Sequence, residues 1–398
     1  MTYGTSITKL ENENNYQKIL KSVMKTFNDT TFDFNGITKK LKPIFFISDN
    51  AMMQSAFQLK KCYSNKSKNS CKACTINGED FHLYTKKKAL ETFLRESYHS
   101  YFPRNNHFIF DTFHDLQEGI CAYILYLCVH LFKKLFNMEG ECLREKILKK
   151  AQKLRLHSQL KTPLKEKFFE LFSKKDILEN KGRFSLNGQQ TFYLMICFYH
   201  IVKESFIYCD SVILYEKIQK IFEVLHYTIS MVVFFSNKKE VQNIENPVDF
   251  IEKIVENHFE SLFSLTDNKF RMTLKYHNLC HYGKMIETFP YVSLSAFSTL
   301  RFESSNSRIK KLLNVGSSYV NPCKTIIQKI AWNNFLDRNI TKEGNEENEE
   351  SEDVEIEWDF TITHFDRNPS LSLEGSENVY EEFNALNETL TNSISNDN

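Results

Sequence analysis

The chain has 398 residues and a mass of 47.0 kDa, room for about two or three folding units. With 41% hydrophobic and 25% charged residues and only 11 Gly and 7 Pro, its composition is globular and excludes a collagen-like, mucin-like or wholly disordered chain. The net charge of +1 hides an asymmetry: residues 342–398 hold 17 Asp or Glu against 2 Lys or Arg, which leaves 49 basic and 33 acidic residues in the body. A basic body attracts phosphate backbones by releasing counterions, and a tethered acidic tail competes for the same surface. A solvated body with a solubilising tail is the plainer reading of the same numbers.

Met1 to Gln17 is polar and lacks the apolar run of a signal peptide, so secretion is not expected. Ten cysteines in such a chain read as reduced thiols, some of them metal ligands, and place the protein in the nucleus or cytoplasm. The 35 Phe and 18 Tyr are read as a compositional bias that supplies large core side chains.

In chain order, Ile19, Leu20, Val23, Met24 and Phe27 keep helical spacing and predict a helix over 15–27. Phe32, Phe34, Asn35 and Gly36 predict a hairpin. Pro43 to Asn50 has the profile of a buried strand, with Asp49 at its C-terminal end. A polar stretch over 60–70 leads to Cys71-x-x-Cys74. His107 to Asp111 reads as a second short strand that feeds a helix over 116–136. The longest apolar stretch there, Ile120 to Phe132, is broken by His130 and is shorter than the roughly 20 residues of a membrane span. Helices follow over 143–156, 162–171, 188–208, 211–236 and 246–263, an all-helical block with a basic first part that includes Lys149, Lys153 and Lys165. His277 and His281 are expected on a later helix, and further helices over 295–313 and 321–335. The acidic run Asn345 to Glu357 is too polar to fold alone.

Two constellations carry chemistry. A Cys-x-x-Cys knuckle needs two more ligands for a tetrahedral zinc site, and His277 and His281, four apart on one helix face, can supply them. Cys62, His82 and the pair Asp111 and His114 are alternatives. Acids converging on two divalent ions suit phosphodiester chemistry, and Asp49, Asp111 and Glu303 are the acids on suitable elements. No Gly-rich phosphate loop, nucleophile elbow or dinucleotide fingerprint is present, and Cys280 reads as a small buried thiol.

Taken in order, these blocks resemble the transposase domain of CACTA-type (En/Spm-like) transposons. The Asp49 strand precedes Cys71-x-x-Cys74. Asp111-Thr112-Phe113-His114-Asp115 is followed by Glu118-Gly119. After the helical block come Lys275-Tyr276-His277 and His281-Tyr282, then Arg301-Phe302-Glu303. The resemblance spans about residues 15–336. It implies an α/β but mostly helical fold: a partial RNase H-like core interrupted by a large helical insertion, with a disordered acidic tail. The implied boundaries are 1–118 for the first part of the core with its knuckle, 119–265 for the insertion, 266–340 for the closing helices and 341–398 for the tail.

By the same resemblance Asp49 and Glu303 look like the second and third acids of an Asp-Asp-Glu triad that holds Mg²⁺. Asp111 is counted with the catalytic acids and His114 with the metal ligands. The family's first acid lies upstream of the segment matched here, so the triad is expected to be incomplete and the chain catalytically deficient. The implied function is DNA binding by a transposase-derived protein with structural zinc. DNA and a second copy of the chain are the expected partners, and no membrane or small-molecule substrate is expected. A non-catalytic protein-interaction scaffold is the alternative.

Overall fold

A computed structural model of the protein describes residues 13–40, 47, 71–85, 91–94, 109–170, 182–209, 211–236, 244–290 and 292–300. Among these residues it has nine α-helices and one two-stranded sheet.

The amino-terminal part is helix α1 (Glu13–Asp29) followed by strands β1 (Thr31–Phe34) and β2 (Ile37–Lys40). The strands pair antiparallel, with Phe34 opposite Ile37. Their two-residue loop places Asn35 at φ 54° and Gly36 at φ 75°, the left-handed pair that a tight hairpin turn needs and that Asn-Gly tolerates best. Gly36 N–H donates to Asp33 Oδ1 at 2.8 Å. The expected hairpin is therefore present, and all of its strand residues are exposed.

Cys71 to Tyr84 forms a compact knuckle that ends in a 3-10 turn, Gly78–Leu83, and is tied down by Thr75 N–H donating to Phe93 O at 2.9 Å. After the buried segment Ile109 to Asp111, a π-helical stretch Phe113–Ile120 runs into α2 (Cys121–Leu135). Then come α3 (Gly140–Lys153), α4 (His157–Lys161), α5 (Gly188–Ser205), α6 (Val212–Ser236), α7 (Pro247–Leu265), α8 (Leu274–Leu279) and α9 (Tyr282–Thr288). Local chemistry sets the starts of the longer helices. Asn187 and Gln190 form a reciprocal capping box at α5. Asn246 accepts from Val248 and Asp249 at α7, where Pro247 takes the first helical position.

Helix α6 is the hub, packed against α2, α5, α7 and the 3-10 turn Leu294–Phe297, while α7 packs on α9 and the π-helical stretch on α8. One continuous apolar core includes Cys71 and Cys74 in the knuckle, the inner faces of these helices, and Phe297. Among the described residues α6 is the one single helix long and apolar enough to cross a membrane. Over half of its most apolar window, 56%, is buried inside the protein, as in a core helix.

Three expected elements differ or extend past the described residues. Ile109 to Asp111, the described end of the expected second strand, pairs with no strand among the described residues. Lys72 Nζ donates to Ile109 O at 2.7 Å, Phe110 N–H meets Met285 Sδ at 3.4 Å, and Asp111 O accepts from Asp115 N–H at 3.0 Å. The helix expected over 162–171 is a string of turns over its described part, with Lys167 at φ 61°, which no α-helix accommodates. Ser295 to Thr299 forms a short 3-10 turn and an extended link, so a helix there begins no earlier than Leu300. The Asp49 strand, Glu303, the helix over 321–335 and the acidic tail lie outside the described residues.

The packing of α6 on α5 and α7 buries two neutral imidazoles, His226 beside Tyr199 of α5 and His258 of α7 beside Thr228. Burial lowers His226 and His258 from 6.5 to about 4. The unfolded chain therefore takes up protons first as pH falls below about 6.5, and stability is lost down to the folded value near 4. The loss approaches about 1.4 kcal/mol per pH unit for each group. Urea unfolding at mildly acidic and neutral pH measures it, and a His258→Leu variant is expected to show the shallower fall.

Candidate metal centre

The two cysteines and two histidines singled out in the sequence meet at one point. Cys74 Sγ lies 3.1 Å from His277 Nε2, Cys71 Sγ lies 3.4 Å from His281 Nε2, and the two Nε2 atoms are 3.2 Å apart. All four donor atoms fall within 4.8 Å of one another, and this is the one such cluster among the described residues. Metal bonds of about 2.0–2.3 Å in tetrahedral directions give ligand-to-ligand edges of roughly 3.3–3.8 Å, so the four atoms are already close to the corners of such a site. A metal such as zinc fits this donor set.

The local backbone explains the convergence. At the knuckle, Ala73 N–H donates to Cys71 Sγ at 3.3 Å, which curls the chain so that both sulfurs face the same way. The histidines do not share one helix as expected. His277 sits in the last turn of α8, and Cys280 N–H and His281 N–H bond back to His277 O and Asn278 O at 3.1 and 3.0 Å. This tight turn separates α8 from α9 and sets the two imidazole planes 88° apart. Phe81 stacks on His277 with centroids 3.9 Å apart, and Phe110 stacks on His281 at 5.4 Å.

The electrostatics favour the ligand forms. Burial alone would raise the Cys71 thiol, but the hydrogen bond from Cys74 and the neighbouring His281 and His277 hold it well below its ordinary value. Burial lowers His277, with Cys71 pulling the other way, and so keeps the imidazole neutral. Lys72, between the two cysteines, is buried with its ammonium over the Phe110 ring at 4.3 Å. Burial brings it down to about 8, while Asp115, Cys71 and Asp111 favour its charge.

A second polar layer holds the elements that carry the ligands. Asp115 is fully buried and accepts from Asn278 Nδ2 on both oxygens, at 3.1 and 3.0 Å, with Tyr282 OH at 3.5 Å. Asn278 follows His277 directly, so Asp115 pins the α8–α9 turn to the π-helical stretch. Lys275 Nζ donates to His114 O at 2.7 Å, and a Cβ on Gly119 would stand 2.8 Å from that same backbone oxygen and 2.6 Å from Lys275 Cδ. A glycine is needed at that crossing.

Asp111 and His114 lie together but outside the metal cluster. Asp111 Oδ1 accepts from Phe113 N–H at 3.1 Å and from Thr299 N–H at 3.0 Å. Its Oδ2 is bound by the Thr299 hydroxyl and by His114 Nδ1. Burial alone would raise this carboxyl, but the bonds from His114 and Thr299 hold it below the usual range. Each oxygen thus serves two protein donors, and the group fastens Thr299 to the start of the π-helical stretch. His114 Nε2 is 3.7 Å from Glu118 Oε2. His82 is exposed and outside the cluster, and Cys280 is a buried thiol that burial raises. Asp49, Glu303 and Cys62 lie outside the described residues. Sequence reasoning assigns no role to Lys72, Phe81, Asn278 or Thr299. The i, i+4 spacing of Asp111 and Asp115 hints at a shared face, but nothing local marks Thr299.

Two outcomes follow from this geometry. Cobalt titration of the metal-free chain is expected to give the absorption of a tetrahedral site with thiolate ligands at one ion per chain, and Cys71→Ser or His277→Ala should each abolish it. Asp111→Ala strands several buried donors and is expected to lower stability by about 3 kcal/mol in urea unfolding, while cobalt is still bound at one per chain. No protein-family model matches this chain, and neither does any curated protein or solved structure.

Proposed function

We propose that this chain is a transposase-derived DNA-binding protein whose fold is locked by zinc at Cys71, Cys74, His277 and His281. The observation that carries the reading is the meeting of the Cys-x-x-Cys and His-x-x-x-His blocks across a sequence separation of 203 residues. These are two of the ordered blocks on which the transposase resemblance rests. Two thiolates and two imidazoles in tetrahedral array suit zinc, and four protein ligands leave no open position for hydrolysis, so its role is structural.

The DNA-facing surface is assigned to α3 and its neighbours. Between Lys133 and Glu170 there are eleven Lys or Arg against five Glu. Leu143, Ile147 and Ala151 bury one face of α3, and Lys146, Lys149 and Lys153 line an exposed stripe at i, i+3 and i+7. Such a stripe can neutralise successive phosphates without reading base edges. The Mg²⁺ acids of the resemblance, Asp49 and Glu303, lie outside the described residues, so strand cleavage is no part of this reading.

Fluorescence anisotropy with a mixed-sequence duplex tests it. Affinity is expected to fall by orders of magnitude between about 50 and 200 mM salt. Replacing Lys146, Lys149 and Lys153 with Ala should reduce the log–log salt slope by about 0.9 for each phosphate that the protein no longer neutralises. A chain that ignores DNA at low salt overturns the proposal. Metal analysis of the same sample is expected to find one zinc per chain, absent from both Cys74→Ser and His281→Ala.

A further inference from the structure

Six residues other than glycine lie in the left-handed region among the described residues. Four of them are Asn35, Asn137, Asp267 and Asn268, the residue types that visit it most readily. The other two are Arg155 and Lys167, at φ 58° and 61°. Both exceptions carry a positive charge, and both fall in the basic segment between Lys133 and Glu170.

Arg155 closes α3. Leu156 N–H donates to Ala151 O at 2.7 Å and Arg155 N–H to Gln152 O at 3.1 Å, the paired bonds of a helix end whose left-handed position is usually glycine. Helix α2 is followed by Asn137 in the same region, at φ 46°, with Met138 N–H donating to Lys133 O at 2.9 Å. Lys167 is the third residue of a turn closed by Phe168 N–H donating to Lys165 O at 3.2 Å, again a place where a left-handed residue is usually Gly or Asn. Its own N–H donates to the carboxylate of Glu141 in the first turn of α3. Neither backbone role uses the side chain, and each Cβ adds strain that glycine escapes.

The fold gives these two side chains little to do. Both are exposed, and among the described residues no acid or carbonyl engages either one, whereas Arg144 pairs with Glu141 and Lys150 with Glu204. A cation at a helix C-terminus gains from the helix dipole, but Lys150 and Lys153 already stand in the last turn of α3. Lys167 stands in a string of turns. From Lys146 to Lys165 there are seven Lys or Arg and no Asp or Glu, so the field around Arg155 repels a further cation unless an anion shares it. Strain retained at an exposed side chain with no partner is a mark of a functional contact.

We propose that Arg155 and Lys167 are phosphate contacts, each held by its backbone bonds in a fixed pose, one at either end of α3. The proposal rests on the DNA-binding reading and extends its surface beyond the α3 stripe, to the α3–α4 corner and the turns after α4. A pose fixed in advance presents the charge to a nucleic-acid backbone without ordering a loop on binding. Contacts of this kind position the duplex and read no sequence.

Arg155→Gly and Lys167→Gly, singly and together, separate binding from folding, because glycine keeps each backbone N–H and removes both the strain and the charge. Each is expected to raise the urea midpoint, with the folding constant up roughly threefold. In anisotropy titrations with a mixed-sequence duplex, each should lower the log–log salt slope by about 0.9. Arg155→Lys, which returns the charge in the same pose, should restore the slope. A wild-type complex with the expected salt dependence, whose slope neither glycine variant changes, overturns this inference and leaves the DNA-binding reading standing. Variants that lose stability along with affinity show the two residues to be supports of the fold, and overturn it too. A wild-type chain that ignores the duplex at low salt overturns both.

Discussion

Four lone pairs aimed at one point inside an apolar core repel one another, and a shared cation relieves that repulsion. Cys71, Cys74, His277 and His281 are in that position: their donor atoms crowd within 4.8 Å, and all four residues are almost wholly buried. Apolar packing alone gives little reason for such groups to gather, because each gives up hydration on burial. Around this centre the nearby core is arranged in support. Aromatic rings back both imidazoles, a lysine balances the sulfurs, and a buried aspartate holds the turn between the two histidines.

The same junction joins parts of the chain that sequence distance separates widely. The knuckle, the π-helical stretch, the α8–α9 turn and the Thr299 link meet there through side chains. Asp111 and Asp115 lie one turn apart and hold two different segments, Thr299 with one and Asn278 with the other. Lys72 ties the knuckle to Ile109. Contacts of this kind are individually modest and strongly interdependent, since losing one partner leaves the other buried and unsatisfied.

Much of this is legible in the sequence because it has a period or a spacing. The helices over 188–208, 211–236 and 246–263 keep an apolar stripe, and the structure places α5, α6 and α7 within a few residues of those limits. Cys-x-x-Cys and His-x-x-x-His are spacings set by chelation, so they survive without knowledge of the fold. What depends on tertiary contact is not legible. The break at Cys280 and His281 is invisible because the spacing of four serves one helix or two. Ile109 and Phe110 look like part of a strand by composition, and nothing in that composition foretells their bonds to Lys72 and Met285. The segment over 162–170 has helical periodicity, and Pro163 with Lys167 in the left-handed region turns it instead.

The long sequence interval between the two halves of the metal centre has a consequence during synthesis. At about 5–20 residues per second, a ribosome needs roughly 10–40 s to make the 203 residues that separate Cys74 from His277. For that time the knuckle's thiols exist without the imidazoles they are to face, and the nascent chain offers only half a ligand set. Metal can close the site only after α8 and α9 have emerged and settled on α6 and α7. A chain cut short before His281 would thus leave two thiols without the imidazoles they face and open to oxidation.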